Sequence, residues 1–218
     1  METENRKLLI EGAKTFGIHL EEGTAQAFDF YLRELIKWNQ KINLTAIRTE
    51  KGIILKHFLD SLSVYPYLSN ITSLLDVGSG AGFPGIPLKM VDPSLEITLI
   101  DSARKKVDFQ RHMIRSLHLK GIEAIHGRVQ DKRLLERMEG QFDGVISRAF
   151  SDLQTLLSLS FSFLKPGGMV FAMKGEEVRQ EIQSLSDTEG IRFRLQKTVP
   201  LLLPSTSIKR SLLLLERK

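Results

Sequence analysis

The sequence predicts an α/β fold in which a mostly parallel, seven-stranded sheet carries helices on both faces, ends in an antiparallel hairpin and is preceded by a helical cap. Three patterns predict it. Up to about Tyr67, apolar residues return every third or fourth position and no strand-like run appears. From Ile71 onward, short apolar runs alternate with polar helical segments. The last two apolar runs lie too close together to hold a helix between them.

Within the cap, Phe28, Tyr31, Leu32, Leu35 and Ile36 make one helical face, and Thr49 is the expected N-cap of a further helix through Ile53, Ile54, Phe58 and Leu62. The texture changes near Asn70, which divides a cap of residues 1–70 from a sheet domain of residues 71–218. SLLDV, LEITLID, IEAIHG, FDGVIS and GGMVFAMKG read as five strands, with crossover helices between them. The clearest helix spans Ser102 to Leu119, with Ser102 as its cap and Gly121 just past its end. LKPGG, Leu164 to Gly168, reads as a turn leading into the fifth strand. RFRLQKTVPLLL and IKRSLLLLER, joined by PSTS, are expected to pair as a hairpin at the sheet edge.

Composition excludes several classes. Across 218 residues, 42% hydrophobic and 26% charged content is ordinary for a globular chain, which sets aside a disordered or fibrous protein. No apolar run approaches the ~20 residues that span a bilayer. METENRKLLIEGAK lacks the basic-then-apolar order of a signal peptide, so a cytoplasmic protein with no membrane partner is expected. With no cysteine there is no disulfide, no thiolate metal site and no sulfur nucleophile. His57 has no histidine or carboxylate beside it at metal-ligand spacing, and no metal is expected. The net charge of +5 has the sign that attracts phosphate, which alone decides nothing.

The chemistry starts at the end of the first strand, in LLDVGSGAGFPGIP, Leu74 to Pro87. Ligands of open parallel sheets sit beyond the carboxyl ends of the strands, near the point where strand order reverses. Gly80 to Gly85 match G-x-G-x-x-G, which by itself fits a dinucleotide oxidoreductase; in that fingerprint, however, the first glycine ends the strand, and here the strand ends at Gly78. Counted from the strand end, the pattern is Asp76-x-Gly78-x-Gly80-x-Gly82, the form found in S-adenosylmethionine-dependent methyltransferases. Glycines let backbone approach a ligand closely, and the start of the next helix is expected to offer free N–H groups. Pro84 and Pro87 fit its opening turn, where a missing N–H removes no helical bond. Asp101 closes the second strand, where a carboxylate can accept both ribose hydroxyls of a bound adenosine; this does not choose between the two cofactors. Asp76, Gly78, Gly80, Gly82, Asp101 and its neighbour Ser102 are therefore cofactor-binding candidates.

The acceptor is read from FDGVISRAF, Phe142 to Phe150, after the fourth strand. It holds no Asn/Asp-Pro-Pro-aromatic motif of the kind that serves exocyclic amines. Pyrimidine C5 transfer usually needs a cysteine, which the chain lacks. An acceptor that is already nucleophilic remains. Guanine N7 is one: its lone pair lies in the ring plane, no proton leaves, and alignment is the main requirement. Arg148 is the candidate to position such a base through its O6/N7 edge or a neighbouring phosphate, the alternatives being a structural ion pair or a cofactor contact.

Taken together, Asn43 to Ala46, His57 to Ser61, Asp76 to Pro87, Ile146 to Phe150 and Lys174-Gly175 resemble the bacterial small-subunit (16S) ribosomal RNA guanine-N7 methyltransferases, the glucose-inhibited division protein B family. The similarity covers nearly the whole chain, and its most specific parts are Gly-Phe-Pro-Gly-Ile-Pro and Ser-Arg-Ala-Phe. The resemblance implies a Rossmann-like, class I S-adenosylmethionine-dependent methyltransferase fold. It also implies cofactor contacts at Gly78, Phe83, the Val129-Gln130 pair and Arg148. The family more often has an acidic or small residue than Gln130, so backbone groups are expected to recognise adenine there. The implied substrate is a guanine of small-subunit RNA within an assembled 30S subunit. The residues do not fix an oligomeric state, and a monomer is the plainer expectation.

Two groups of basic residues are candidates for RNA. Arg104, Lys105, Lys106, Arg111 and Arg115 lie on one helix, where a solvated face is the simpler reading. Lys37, Lys41, Arg48, Lys51, Lys56 and His57 crowd the end of the cap, beside NLTAIR and HFLDSL. From these the RNA-binding set is Arg48, Lys51, Lys56 and His57, to which the resemblance adds Lys174. His57 is expected either to orient RNA or to hydrogen-bond Asp60. Trp38 and Tyr31 are read as core. A non-catalytic RNA-binding protein that keeps a cofactor pocket stays open at this point.

Overall fold

The computed structural model describes residues 1–148, 150, 152–186 and 192–218. The cap is helical throughout. Helices α1 (Thr3–Lys14) and α2 (Glu22–Ile42) are followed by α3 (Glu50–Ile53), which runs through a π-helical segment, Ile54–Leu59, into α4 (Asp60–Leu62). Helix α2 buries Ala25, Phe28, Tyr31, Leu32 and Leu35 and stops at Asn43, whose φ of +49° lies in the left-handed region. Thr49 caps α3, its hydroxyl accepting from Gly52 N at 3.2 Å. The wider π turn puts every side chain of Ile54–Leu59 inward except Lys56. Gly12 of α1 makes room for it: a Cβ there would sit 2.5 Å from Leu59 Cδ1.

Seven strands follow: β1 (Ser73–Val77), β2 (Glu96–Asp101), β3 (Ile122–His126), β4 (Phe142–Ser147), β5 (Leu164–Lys174), β6 (Phe193–Leu202) and β7 (Lys209–Arg217). Their order is β3-β2-β1-β4-β5-β7-β6; the first five run parallel, and β7 lies antiparallel to both β5 and β6. The crossover helices are α5 (Gly85–Val91), α6 (Arg104–Ser116), α7 (Lys132–Met138) and α8 (Leu153–Phe163), and α9 (Arg179–Ser186) precedes β6. Strand order reverses between β1 and β4, which opens a crevice at their carboxyl ends. One core packs the cap against the sheet, with Leu9, Phe28, Leu32 and Phe58 joined to Leu74, Leu88 and Leu99. The other face holds Leu75, Val77, Val145, Leu157, Phe163 and Leu213. Alternation along β1 thus sends Leu74 and Asp76 toward the cap and Leu75 and Val77 away from it.

Three local expectations are corrected. Ser102 is not the cap of α6: Ala103 holds that position, and its N–H is taken by Asp101 Oδ1 at 2.8 Å. The helix also ends before Leu119, with His118 in the left-handed region directly behind it at φ +51°, while Gly121, at φ +65°, stands at the entry to β3. LKPGG does not precede β5 but lies inside it. Leu164 pairs with Phe142 and Met169 with Gly144, so Lys165 to Gly168 bulge opposite Asp143 alone.

Asp143 locks that irregularity. Its Oδ2 accepts from Thr72 N (3.1 Å), Thr72 Oγ1 (2.6 Å), Ser73 N (2.9 Å) and Ser73 Oγ (2.9 Å), and Oδ1 pairs with Lys165 Nζ at 2.6 Å. Burial alone would raise its pKa; the bonds from Lys165, Thr72 and Ser73 outweigh that and hold it well below the usual carboxylate value. A depressed carboxyl stabilises the fold above its unfolded pKa and loses that contribution as pH falls through the folded one. Asp143→Ala is expected to cost about 2–4 kcal/mol at pH 7 in urea unfolding, with a smaller difference from wild type as pH falls below about 4.

Candidate active site

The glycine loop between β1 and α5 is held by side chains beneath it. Gly78, Gly80 and Gly82 have φ of +71°, +59° and +94°, conformations that L side chains rarely adopt. Asp101 Oδ2 accepts from Gly80 N at 2.8 Å, and Gln110 Nε2 donates to Gly80 O (2.7 Å) and Ser79 Oγ (2.8 Å). Asp76 Oδ2 accepts from Gly85 N at 2.8 Å, and Ile86 N donates to Gly82 O at 2.8 Å. The expected free N–H groups at the start of α5 are therefore already engaged. Pro84 and Pro87 do occupy its opening turn, Pro84 at the N-cap.

From the cap side, Tyr31 Oη donates to Ala81 O at 2.5 Å. Phe83 stacks on two rings: Tyr31, with centroids 5.3 Å apart and planes 13° apart, and His57, at 4.6 Å and 8°. Phe83, expected at the cofactor, is thus 3% exposed within this stack. Asp76 is likewise fully buried on the cap-facing side of β1 and is not in the lining of the two cavities described below. Its Oδ1 has no hydrogen-bond partner, and burial raises its pKa to about 7.

Beyond the strand ends lies a cleft of about 530 Å³ walled by Val77, Gly78, Ile100, Asp101, Ser102, Gly127, Arg128, Val129, Gln130 and Phe150. It collects Gly78, Asp101, Ser102, Val129 and Gln130 from the expected cofactor set, while Gly80, Gly82 and Phe83 are not in its lining. A Cβ on Gly78 would meet no atom within 4 Å, so the glycine leaves open space beside the wall. Asp101 has one backbone donor on each oxygen, and each oxygen keeps a further lone pair. A ribose diol suits those lone pairs, and a nucleoside fits the cleft.

A second cavity, about 450 Å³, adjoins the first, Phe150 belonging to both walls. Its other lining residues include Ile47, Lys56, His57, Asp60, Arg148, Lys174 and Arg210. Asp60 is its anchor: buried, it faces Arg148 Nη1 at 3.5 Å from one side and Arg210 Nε at 3.2 Å from the other. Burial raises the Asp60 pKa, and the two guanidinium groups oppose that. Arg148 also donates to Lys56 O at 3.1 Å and has its Cζ 5.1 Å from the Phe83 ring centroid. Lys174 Nζ meets Glu181 Oε2 at 2.6 Å and Phe150 O at 2.9 Å. Ala149 of the Ser-Arg-Ala-Phe stretch lies outside the described residues.

His57 does not bond Asp60, whose oxygens face the arginines. Its Nε2 lies 2.7 Å from Thr45 Oγ1, and burial, followed by the Arg148 charge, lowers its pKa to about 3. The ring is neutral at physiological pH. Arg48, Lys51 and Lys56 are exposed and have no ion-pair partner among the described residues. Lys37 pairs with Glu34 at 3.2 Å, Arg104 with Asp108 at 3.2 Å, and Arg111 bonds Ala124 O, so these three have structural employment. Tyr31 is core as expected; Trp38, half-buried, packs on Phe109 and His112. Among the described residues no three His, Asp or Glu side chains gather as a metal site.

Comparison with known proteins decides the family. The model of the family described as rRNA small subunit methyltransferase G matches residues 24–212. The chain belongs to this family. The ribosomal RNA small subunit methyltransferase G of Geotalea uraniireducens is 42% identical over 213 residues, 97% of this chain and 96% of that one. The Acetivibrio thermocellus relative of the same name is 39% identical over 217 residues, 99% and 90% of the two chains. Among solved structures, a SAM dependent methyltransferase from Aquifex aeolicus aligns at a TM-score of 0.57 and 18% identity, covering 75% of this chain and 92% of that one. M. jannaschii TYW2 in complex with AdoMet aligns at 0.53 and 17%, covering 67% and 69%. The fold is that of S-adenosylmethionine-dependent methyltransferases.

Arg210 was not among the sequence candidates. It stands in an ordinary strand-like run, IKRSLLLLER, and only the antiparallel pairing of β7 with β5 brings it to Asp60. The other testable feature is the charge state of Asp76. A carboxyl raised from 3.8 to about 7 gives its full stabilisation below pH 4 and loses it as pH rises toward 7. Asp76→Asn keeps an acceptor for Gly85 and has no charge to bury. Between pH 5 and pH 8 it is expected to gain about 2–3 kcal/mol relative to wild type in urea unfolding. His57 titrates identically in both proteins and cancels; equal pH dependence would mean that the Asp76 carboxyl is unperturbed.

Proposed function

We propose that the protein transfers a methyl group from S-adenosylmethionine to N7 of one guanine in 16S ribosomal RNA. The observation that carries this reading is the junction at Phe150: a nucleoside-sized cleft and a cation-lined cavity share one wall, in a chain of the rRNA small subunit methyltransferase G family. When bound, S-adenosylmethionine supplies an electrophilic methyl carbon. Asp101 holds its ribose, Gly78 and Val129-Gln130 its nucleoside through close backbone approach, and the tethered loop keeps this wall fixed.

On the acceptor side, Arg148 positions the guanine or its phosphate. The nucleophile is a ring nitrogen whose lone pair needs no deprotonation, and the residues agree: no base is required, and His57, neutral and bonded to Thr45, supports the stack instead of moving a proton. Methylation leaves a cationic purine next to two arginines, and Asp60 between them lowers the repulsion. Arg48, Lys51 and Lys56 meet phosphates, with affinity falling as salt rises, whereas Lys174, buried and paired with Glu181, holds the cavity wall. The enzyme works as a cytoplasmic monomer on an assembled 30S subunit; among the described residues no helix is long and apolar enough to cross a membrane.

Labelled methyl is expected to move from S-adenosylmethionine to small subunits that lack the modification, and chemical cleavage at 7-methylguanosine followed by primer extension to give a single stop. Label on protein, or several stops, would overturn the assignment. Asp101→Asn is expected to weaken S-adenosylmethionine binding by about 1–3 kcal/mol in calorimetry, the cost of a poorly met hydrogen-bond site. Unchanged affinity would reduce Asp101 to a support of the loop.

A further inference from the structure

A third cavity, about 400 Å³, lies in the cap and is lined by Leu35, Ile36, Asn39, Gln40, Asn43, Thr45, Ile47, Arg48 and Ile53. Ile47 also lines the cation-rich cavity, so the two are neighbours across one side chain, as that cavity and the nucleoside cleft are neighbours across Phe150. Apart from Arg48, already a phosphate candidate, its lining has no part in the reaction.

Its chemistry is mixed in a particular way. Leu35, Ile36, Ile47 and Ile53 supply an apolar lining. Asn39 is committed to structure, accepting from Thr45 N and donating to Thr45 O at 2.9 Å each, which holds the NLTA turn that frames the cavity. The side-chain amides of Gln40 and Asn43 are exposed and have no hydrogen-bond partner among the described residues, so both are open to a ligand. Arg48 completes the lining with an unpaired guanidinium. An apolar slot with two amides that can donate and accept, plus one cation, matches a flat heterocycle with a hydrogen-bonding edge and an attached phosphate.

We propose that this cavity binds an unpaired nucleotide flanking the target guanine: its base enters between the cap side chains, Gln40 and Asn43 meet the base edge, and Arg48 meets the phosphate. The proposal rests on the RNA reading above and deepens it. Binding one neighbour in the cap while the target sits beside Phe150 splays two adjacent bases apart, which single-stranded RNA permits and a stacked duplex opposes. It also gives the cap a selective role, since the cation-rich cavity meets the target guanine and phosphates but no flanking base.

The test uses the full chain and small subunits lacking the modification. Gln40→Ala combined with Asn43→Gly removes both free amides at exposed positions, and glycine accepts the positive φ of residue 43. The KM for subunits is expected to rise roughly 5–30-fold, as for two lost hydrogen bonds, with kcat and S-adenosylmethionine affinity unchanged. The second arm uses subunits with each nucleotide flanking the target replaced in turn. The wild-type KM is expected to respond to one flanking base, and the double variant to have lost that response. An unchanged KM overturns the proposal. So does a raised KM with the base response intact, which would mean that the cavity docks some other part of the subunit. If the wild-type protein transfers no methyl to small-subunit RNA, the functional reading itself fails, an outcome distinct from either.

Discussion

Asp101 and Asp76 stand at the carboxyl ends of neighbouring parallel strands, and each directs an oxygen at a backbone N–H of the same glycine loop, Gly80 and Gly85 respectively. Glycines place a backbone close to a ligand but give it nothing to hold itself with, and their conformational freedom is a cost in the folded state. The loop is therefore fixed from outside, by two carboxylates, by Gln110 and by the hydroxyl of Tyr31. The burial that makes these anchors effective also perturbs them: Asp76 has one oxygen satisfied and one not, and its proton is held far above the usual range. Rigidity at the cofactor wall and strain in a buried carboxyl are two consequences of one arrangement.

The same loop joins the two halves of the site. Phe83 leaves the glycine run and enters the cap, where Tyr31 and His57 both stack on it and Arg148 lies near its ring. His57 is fixed in turn by Thr45, in the turn that Asn39 holds. The glycine loop, Arg148 and the cap turn are thus connected through the Phe83 and His57 rings. Burial keeps His57 uncharged, which removes a cation that would otherwise repel Arg148. The cap is for this reason part of the site and not a lid laid over it: its core is continuous with the sheet through Leu9, Phe58, Leu74 and Leu99.

Features that depend on nearest neighbours along the chain were legible in the sequence. Alternating runs predicted the five parallel strands, the short PSTS connection predicted the hairpin, and Thr49 capped the helix assigned to it. The strand-end positions of Gly78 and Asp101 followed from the same pattern, and both line the cleft. Features that depend on partners far apart in sequence were not legible. Nothing in DVGSG says that Asp76 turns beneath the loop to the N–H of Gly85, because a strand's two faces look alike until the cap chooses one. Nothing in HFLDSL says that Asp60 meets an arginine 150 residues later. Pro-Gly-Gly read as a turn because its local chemistry is that of a turn; pairing resumes on either side of it, and Asp143 makes the excursion a bulge within the strand.

Asp60 shows why long-range pairing matters to chemistry and not only to stability. Two guanidinium groups brought together without it would repel each other and would oppose the positive charge that methylation leaves on a purine. A carboxylate exposed between them would be solvated and would weaken both pairs. Buried and shared, Asp60 fixes the spacing of Arg148 and Arg210 while leaving the cavity positive toward phosphate. The π-helical segment supplies this geometry: the wider turn buries His57 and Phe58 toward the aromatic stack, brings Asp60 out beneath the arginines, and leaves Lys56 exposed with its carbonyl accepting from Arg148. A regular helix over the same residues would rotate one of these groups off its partner, so the irregular turn is what lets a single short segment serve the fold, the cofactor loop and the acceptor pocket together.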